Sequence, residues 1–105
     1  MIDPKTVLSP KDQLTNLKVI YDGGELQAGQ PFSGWSLAEF DWNESPAIGI
    51  RWNGEEDGVG TPAAFGRPMW FVLPLPVGQQ AQDALYAHLY RRALAVAEVK
   101  EVEVA

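Results

Sequence analysis

Two short blocks of the chain carry the residue types of an anion-binding site. Arg51 and Trp52 end an alternating apolar run, and Arg67 lies three residues before Trp70. A guanidinium can hold a carboxylate or phosphate through two parallel hydrogen bonds, and a Trp ring can stack on a planar ligand. If the segments that carry them are neighbours, Arg51 and Arg67 converge at one end of a sheet. The residues therefore predict a site for a small anion, with Asn53 as a further ligand-binding residue.

The same residues also have a purely structural interpretation. Trp52 would be core, Arg51 would pair with an acid on a neighbouring strand, and Asn53-Gly54 would form a turn. Asn-Gly after an alternating strand is a strong turn signal. Arg67 would then be solvated in a loop or paired with the acidic run at residues 55–57.

The acidic run 55-EED-57, even with Asp41 and Glu44, does not follow the pattern of a metal site. A calcium loop places oxygen ligands at alternating positions with a central Gly and a terminal bidentate Glu, and the sequence lacks this spacing. The chain has no cysteine, which excludes disulfides, thiol catalysis and Cys-zinc sites. We expect no metal and no cofactor, and a solvated acidic loop.

His88 is the only histidine in the chain, and its sequence context predicts no catalytic role. A general base needs a nucleophile and an orienting carboxylate nearby. Ser33, Ser36 and Ser45 do not lie in a G-x-S-x-G motif, and no P-loop, H-E-x-x-H or G-x-G-x-x-G is present. We therefore expect no catalytic residue, and a histidine at the border of the apolar stripe of a helix.

The elements that would position these residues are strands followed by one helix. Alternation predicts strands over 16–21, 35–42 and 47–52, and the short link between the last two favours a hairpin. The run 69-MWFVL-73 has no alternation, which is typical of a strand buried on both faces. Helical spacing of Ala and Leu predicts a helix over 79–97.

Together these elements predict a single α+β domain of 105 residues. We expect an antiparallel sheet of four to five strands with one main C-terminal helix packed on one face. Residues 1–15 would be an irregular lead-in, residues 53–68 a long loop, and residues 98–105 an edge strand or an extension of the helix. A single helix would leave the other face of the sheet under-covered.

Tyr86 and Tyr90 are the residues that we expect at an interface. They lie one helical turn apart, beside the stripe of Leu85 and Leu89. Tyrosine combines a large contact area with a polar group and is enriched at interfaces. The alternative, which the sequence leaves open, is that both tyrosines flank the seam between helix and sheet within one copy.

The charge of the chain narrows the class of partner. Its net charge is -6, whereas binding to a phosphate backbone needs clustered Lys and Arg, so direct nucleic-acid binding is not expected. Basic protein partners and mimicry of DNA stay compatible with it. The first residues do not form a signal peptide and no apolar run is long enough to span a bilayer, so we expect a cytoplasmic protein without membrane contact.

Three blocks of the chain resemble a family of small uncharacterised bacterial proteins and mobile-gene-cassette products. The blocks are 35-WSLA-38, 49-GIRWNG-54 and 66-GRPMWFVLP-74. The resemblance covers roughly residues 16–76. The chain departs from the family pattern at 65–68, where the family more often has Arg-Gly-x-Pro, and in a longer loop at 25–34. The family has no assigned activity, so the resemblance implies a similar fold and leaves the function open.

The functional prediction is a non-enzymatic binding or interaction module that associates with itself or with another protein. One alternative is a small-molecule or anion-binding domain, or a minor enzyme, that uses Arg51, Trp52, Arg67 and Trp70. Another alternative is an acidic inhibitor of a nucleic-acid-handling protein. A cleft with apolar walls that holds both arginines would favour the first alternative. Carboxylates spaced like duplex phosphates would favour the second.

Overall fold

The computed structural model describes residues 1–104, and side chains as far as residue 95. The elements in chain order are a 3-10 helix at Pro4–Thr6, β1 at Leu14–Asp22, β2 at Trp35–Trp42, β3 at Ser45–Trp52, β4 at Ala63–Ala64, β5 at Arg67–Pro68, β6 at Phe71–Leu73 and α1 at Leu75–Val104. The predicted α+β class, with an antiparallel sheet and one C-terminal helix, is confirmed. For residues 98–105 the sequence allowed either an edge strand or an extension of the helix, and α1 continues through 98–104. Residue 105 lies outside the described residues.

The main sheet has four antiparallel strands in the order β1-β2-β3-β6. β2 and β3 form the expected hairpin, with Trp42 opposite Ser45 and Trp35 opposite Trp52. Its turn consists of Asn43 and Glu44 alone, at φ 48° and 68°. Left-handed residues at both central positions match the twist of the flanking strands. Pairing therefore begins at Ser45, earlier than the sequence indicated.

The run 69–73 contributes an edge strand through its last three residues, and it is not the strand buried on both faces that the sequence predicted. Only Phe71–Leu73 pairs, and it pairs with β3. Trp70 is buried, whereas the ring of Phe71 is more than half exposed. The apolar run thus combines a core residue with a surface residue, which explains why it shows no alternation. Pro74 follows the strand and lacks the N–H that pairing needs.

Apolar clusters cover both faces of the sheet. Leu37, Ile48 and Leu85 form the cluster under α1. On the opposite face lie Val7, Leu14, Ala38, Phe40, Ala47 and Trp70. The lead-in supplies Val7 to this second cluster, and the indole N–H of Trp70 donates to the Val7 carbonyl at 2.8 Å. The face that the sequence left under-covered is therefore closed by the N-terminal segment.

α1 begins earlier than the sequence indicated and comes unusually close to β3. Pro76 is the second residue of α1, in the first turn, where a missing N–H is tolerated. A Cβ on Gly78 would lie 2.5 Å from the Cβ of Ile48, so only glycine permits this approach. The exposed side chains of residues 89–95 show that the later turns leave the sheet. Among the described residues, no helix has the length and apolar character to cross a bilayer.

Candidate functional site

A groove of about 740 Å³ lies between the first turns of α1 and the sheet. Its helix wall consists of Ala81, Ala84 and Leu85, and Leu37 and Ile50 of the sheet face them. Leu85 and Leu37 are buried and close the floor. The helical spacing places Ala81 in the apolar stripe with Leu85, and Ala84 beside it, and Ala81 does pack on the cluster under α1. The small side chains of both alanines leave the space that forms the groove.

Four aromatic rings form a further part of the groove wall, which Arg51, Thr61 and Pro62 complete. The rings are those of Phe32, Trp35, Trp52 and Phe71. Trp35 is held in place, because its indole N–H donates to the Pro31 carbonyl at 2.9 Å and its ring lies 5.7 Å from that of Phe32. The position of Phe32 is held in turn by the hydroxyl of Tyr21, which donates to the Phe32 carbonyl.

Tyr21 reaches this wall because β1 changes its face near its end. Leu17 and Val19 pack on the cluster opposite the helix, whereas Tyr21 packs on the cluster under α1. The pairing with β2 shifts register between Val19 and Tyr21. A bulge of this kind moves the following side chain to the other face. Simple alternation along the predicted strand 16–21 would place all three side chains on one face of the sheet.

Trp52 and Phe71 form the open rim of the groove. Their side chains are 55% and 58% exposed, so large apolar rings stand at the surface beside the apolar interior. Trp52 is fixed from behind, because its backbone exchanges hydrogen bonds of 2.7 and 3.2 Å with Thr61. The structural interpretation placed Trp52 in the core, whereas its side chain is more than half exposed. Trp52 instead lines a groove, which is where the ligand-binding interpretation placed it.

Arg51 is the most constrained of the predicted site residues. Only 2% of it is exposed, and its guanidinium donates through one terminal nitrogen to the Met69 carbonyl at 2.6 Å and through the other to the Val59 carbonyl. Its Nε has no hydrogen-bond partner among the described residues. Burial lowers the pKa of Arg51. Both arms of the fork are thus committed to backbone carbonyls and link β3 to the loop 53–62 and to the chain before β6.

The residues expected to join Arg51 in an anion site lie in other surroundings. Arg67 is exposed on β5, and Trp70 is buried in the cluster opposite the helix. Of the predicted ligand-binding residues, the groove brings together Arg51 and Trp52 only. Because one guanidinium is buried and bonded while the other is solvated, the two arginines do not form a joint cationic clamp.

Asn53 is a buried connecting residue and does not face a ligand. Its side-chain oxygen accepts from the Ser36 hydroxyl at 2.7 Å, and its amide donates to the Gly24 carbonyl at 2.8 Å. Its backbone bonds Gly34 and Ile2, both at 2.9 Å. The Asn-Gly pair is therefore not a two-residue hairpin turn, because Asn53 joins the N-terminus, the loop 23–34 and β2.

Tyr86 and Tyr90 are exposed on α1, and Leu94 one turn further on continues their row. The Tyr86 hydroxyl accepts from the Gln82 amide at 3.1 Å, and that amide also donates to Glu39 at 2.7 Å. Tyr86 thus lies near the seam with the sheet, whereas Tyr90 lies beyond it. A role of both residues at an interface stays a prediction.

The acidic run is solvated, as the sequence predicts. Glu55, Glu56 and Asp57 are exposed, and the amino group of Met1 donates to the Glu56 carbonyl at 2.8 Å. Among the described residues, no group of three or more His, Cys, Asp or Glu side chains is placed to hold a metal ion.

The sequence missed Phe32 and Phe71, two of the aromatic residues that line the groove. Phe32 lies between two predicted strands, and Phe71 lies in a run predicted to be buried, so the sequence around neither residue indicated contact with a ligand. Comparison of the chain with family models, with curated proteins and with solved structures found no match.

Proposed function

We propose that this protein is a non-enzymatic binding module that holds an uncharged, ring-containing group in the groove between α1 and the sheet. The observation that carries the proposal is the pairing of an apolar cavity with two half-exposed rings, Trp52 and Phe71, at its rim. Ligand sites typically have volumes of roughly 300–1,000 Å³ and mostly apolar walls, and the groove of about 740 Å³ lies within this range.

The chemistry of the wall favours a neutral ligand over an anion. Arg51 is the charged residue of the wall, and its terminal nitrogens already donate to two carbonyls. A ligand carboxylate in the groove would lose its hydration without gaining the two hydrogen bonds of a free guanidinium, and such desolvation is costly. Thr61 and the indole N–H of Trp52 at the rim are the groups suited to a single polar substituent.

The same wall supports a binding role rather than catalysis. Among the described residues, its lining includes no carboxylate and no histidine, the groups that acid–base mechanisms use and that would activate the hydroxyl of Thr61 as a nucleophile. His88 is close in sequence, but its ring is stacked on Phe32 with 3.5 Å between the ring centroids. The arrangement is therefore suited to hold a molecule without a step of chemistry.

The test is a titration with a matched pair of probes and a matched pair of variants. The probes are 2-naphthol, which is neutral, and naphthalene-2-sulfonate, which is anionic, with quenching of tryptophan fluorescence as the readout. Ala84→Phe places a ring inside the groove without adding a tryptophan. Ala93→Phe makes the same change at an exposed position of α1 that does not line the groove.

We expect wild type and Ala93→Phe to bind 2-naphthol alike, and Ala84→Phe to bind it roughly tenfold or more weakly, because a filled pocket cannot accept the ring. We also expect naphthalene-2-sulfonate to bind more weakly than 2-naphthol. Equal binding by Ala84→Phe and Ala93→Phe would place the probe elsewhere and overturn the proposal. Preference for the sulfonate would contradict the neutral-ligand chemistry.

A further inference from the structure

A short hairpin beside the groove, which we call the arm (residues 63–68), projects an aromatic ring into solvent. β4 and β5 pair through Ala63 with Pro68 and Ala64 with Arg67. Phe65 at the tip is fully exposed. Its φ is 52°, followed by 75° at Gly66. Such two-residue turns favour Asn or Asp before Gly, and a bulky residue at positive φ is rare.

The stability of a single copy does not explain why the Phe65 ring is exposed at the tip of a hairpin. An isolated two-stranded hairpin is at best marginally stable in water, and this arm leaves an apolar tip outside the core. The ring makes no contribution to burial within its own chain, while its backbone conformation is unfavourable. Strained backbone conformations of this kind cluster at functional sites.

The arm starts at the rim of the groove. Thr61 and Pro62 line the groove just before the arm, and Phe71 lines it just after. The backbone N–H of Met69 donates to the Pro62 carbonyl at 2.9 Å and closes the base of the arm. Phe65 is the third residue after Pro62, so it stands about 10 Å from the rim at the usual strand rise.

We infer that the arm binds a second copy of this chain, with Phe65 of each copy inserted into the groove of the other. An arm that starts at the edge of its own groove can cross to a neighbouring groove if a two-fold axis passes near the rim. Two-fold interfaces are self-complementary, so the exchange is reciprocal. This inference uses the groove of the proposed function but does not require a small ligand.

The size of the groove and the charges around it both favour a second copy of this chain as the partner of the arm. An apolar protein cavity of about 150 Å³ holds a benzene ring, so a groove of about 740 Å³ admits the ring of Phe65. Arg67 on the arm is exposed, and the exposed acidic run 55–57 lies in the loop that joins the paired residues Trp52 and Thr61. Each arm therefore brings a positive charge toward the acidic loop of the other copy, in a chain whose net charge is -6.

Buried area sets the expected strength. One Phe ring buries roughly 150–250 Å², whereas a stable interface buries roughly 1,200–2,000 Å². Two arms alone fall short of that range, so the exposed rings of Trp52 and Phe71 must join the contact from both copies. The result is a weak dimer that depends on concentration and competes with any small ligand of the groove.

The experiment is sedimentation velocity over the micromolar range on wild type, Phe65→Asn and Ala84→Phe. Phe65→Asn removes the ring while keeping a residue that tolerates positive φ, so its fold should be kept. Ala84→Phe keeps the arm but fills the groove. We expect wild type to dimerise, each variant alone to dimerise roughly tenfold or more weakly, since both lose the anchor contact, and their mixture to form heterodimers through one intact arm and one intact groove.

Several outcomes would overturn the inference. They are a wild type that stays monomeric at all concentrations, a Phe65→Asn variant that dimerises like wild type, and a mixture that associates no more than the separate variants. Dimers that survive Phe65→Asn but are lost in Tyr90→Glu would assign the interface to the row on α1.

Binding of 2-naphthol to Phe65→Asn is measured in parallel. If Phe65→Asn binds 2-naphthol but wild type forms no dimers, arm exchange fails and the proposed function stands. If wild type forms dimers but 2-naphthol does not bind, the proposed function fails and arm exchange stands.

Discussion

Phe32 and His88 stack face to face, with ring centroids 3.5 Å apart and ring planes within 1° of parallel. This contact joins the loop 23–34 to α1 at the end of the groove where Phe32 forms the wall. The histidine therefore has a packing role that its position at the border of the helical stripe did not reveal.

Loss of the His88 ring is expected to loosen one wall of the groove. Aromatic pairs contribute roughly 0.5–1.5 kcal/mol beyond their buried area, so His88→Ala should lower the free energy of unfolding by about 1 kcal/mol and weaken 2-naphthol binding. His88→Phe keeps a ring and serves as the control, with both properties near wild type. Denaturant unfolding and the fluorescence titration measure the two effects. A His88→Phe variant as impaired as His88→Ala would show that the stack is not what matters.

Arg51 is expected to stabilise the fold rather than to bind anions. Arg51→Ala leaves the Met69 and Val59 carbonyls without their donor, and a buried unsatisfied group costs roughly 1–3 kcal/mol. We expect a loss of about 2–4 kcal/mol in the free energy of unfolding, and no anion that raises the melting temperature of wild type more than that of the variant. Arg67→Ala, at an exposed position, should stay within about 0.5 kcal/mol of wild type. An anion whose thermal shift disappears in Arg51→Ala would restore the anion-site interpretation.

The elements could be predicted because their signals are local. Alternation in 35–42 and 47–52, and the Ala and Leu spacing of the helix, depend only on neighbours in the chain. Long-range packing overrode the local signal in β6 and at Tyr21, where an edge position and a register shift changed which face was buried. Turn residues identified the β2–β3 hairpin but not the arm, because Phe65 is an uncharacteristic turn residue.

The site itself could be predicted only in part. Residue type singled out Arg51, but whether a guanidinium meets a ligand or two backbone carbonyls depends on chain segments that the local pattern does not place. Trp52 was identified, with its role open between core and wall. Phe32 and Phe71 reach the groove from a loop and an edge strand, and aromatic residues in such positions have no periodicity that distinguishes contact with a ligand from contact with the core.

Asn53 is expected to be sensitive to changes that leave its size intact. Asn53→Asp keeps the oxygen that accepts from Ser36 but replaces the amide that donates to the Gly24 carbonyl, and it places a carboxylate at a fully buried position. Burial without a charge partner is costly, so we expect a loss of about 2–4 kcal/mol in the free energy of unfolding at neutral pH. Ser36→Ala, which removes one hydrogen bond, should cost about 1 kcal/mol. Equal and small losses in both variants would show that Asn53 does not connect these segments.

Gly78 gives a prediction in which two effects have opposite signs. Ala is more favourable than Gly inside a helix by roughly 0.8–1 kcal/mol, so helix propensity alone predicts that Gly78→Ala stabilises the protein. The added Cβ would lie 2.5 Å from the Cβ of Ile48, however, which forces α1 away from β3. Overpacking costs typically about 1–3 kcal/mol, so we expect a net loss of stability by denaturant unfolding. Ile48→Gly in the same chain removes that Cβ and should make Gly78→Ala less harmful, because the two changes share one contact. A stabilised Gly78→Ala variant would mean that α1 does not pack on β3 as closely as this structure shows.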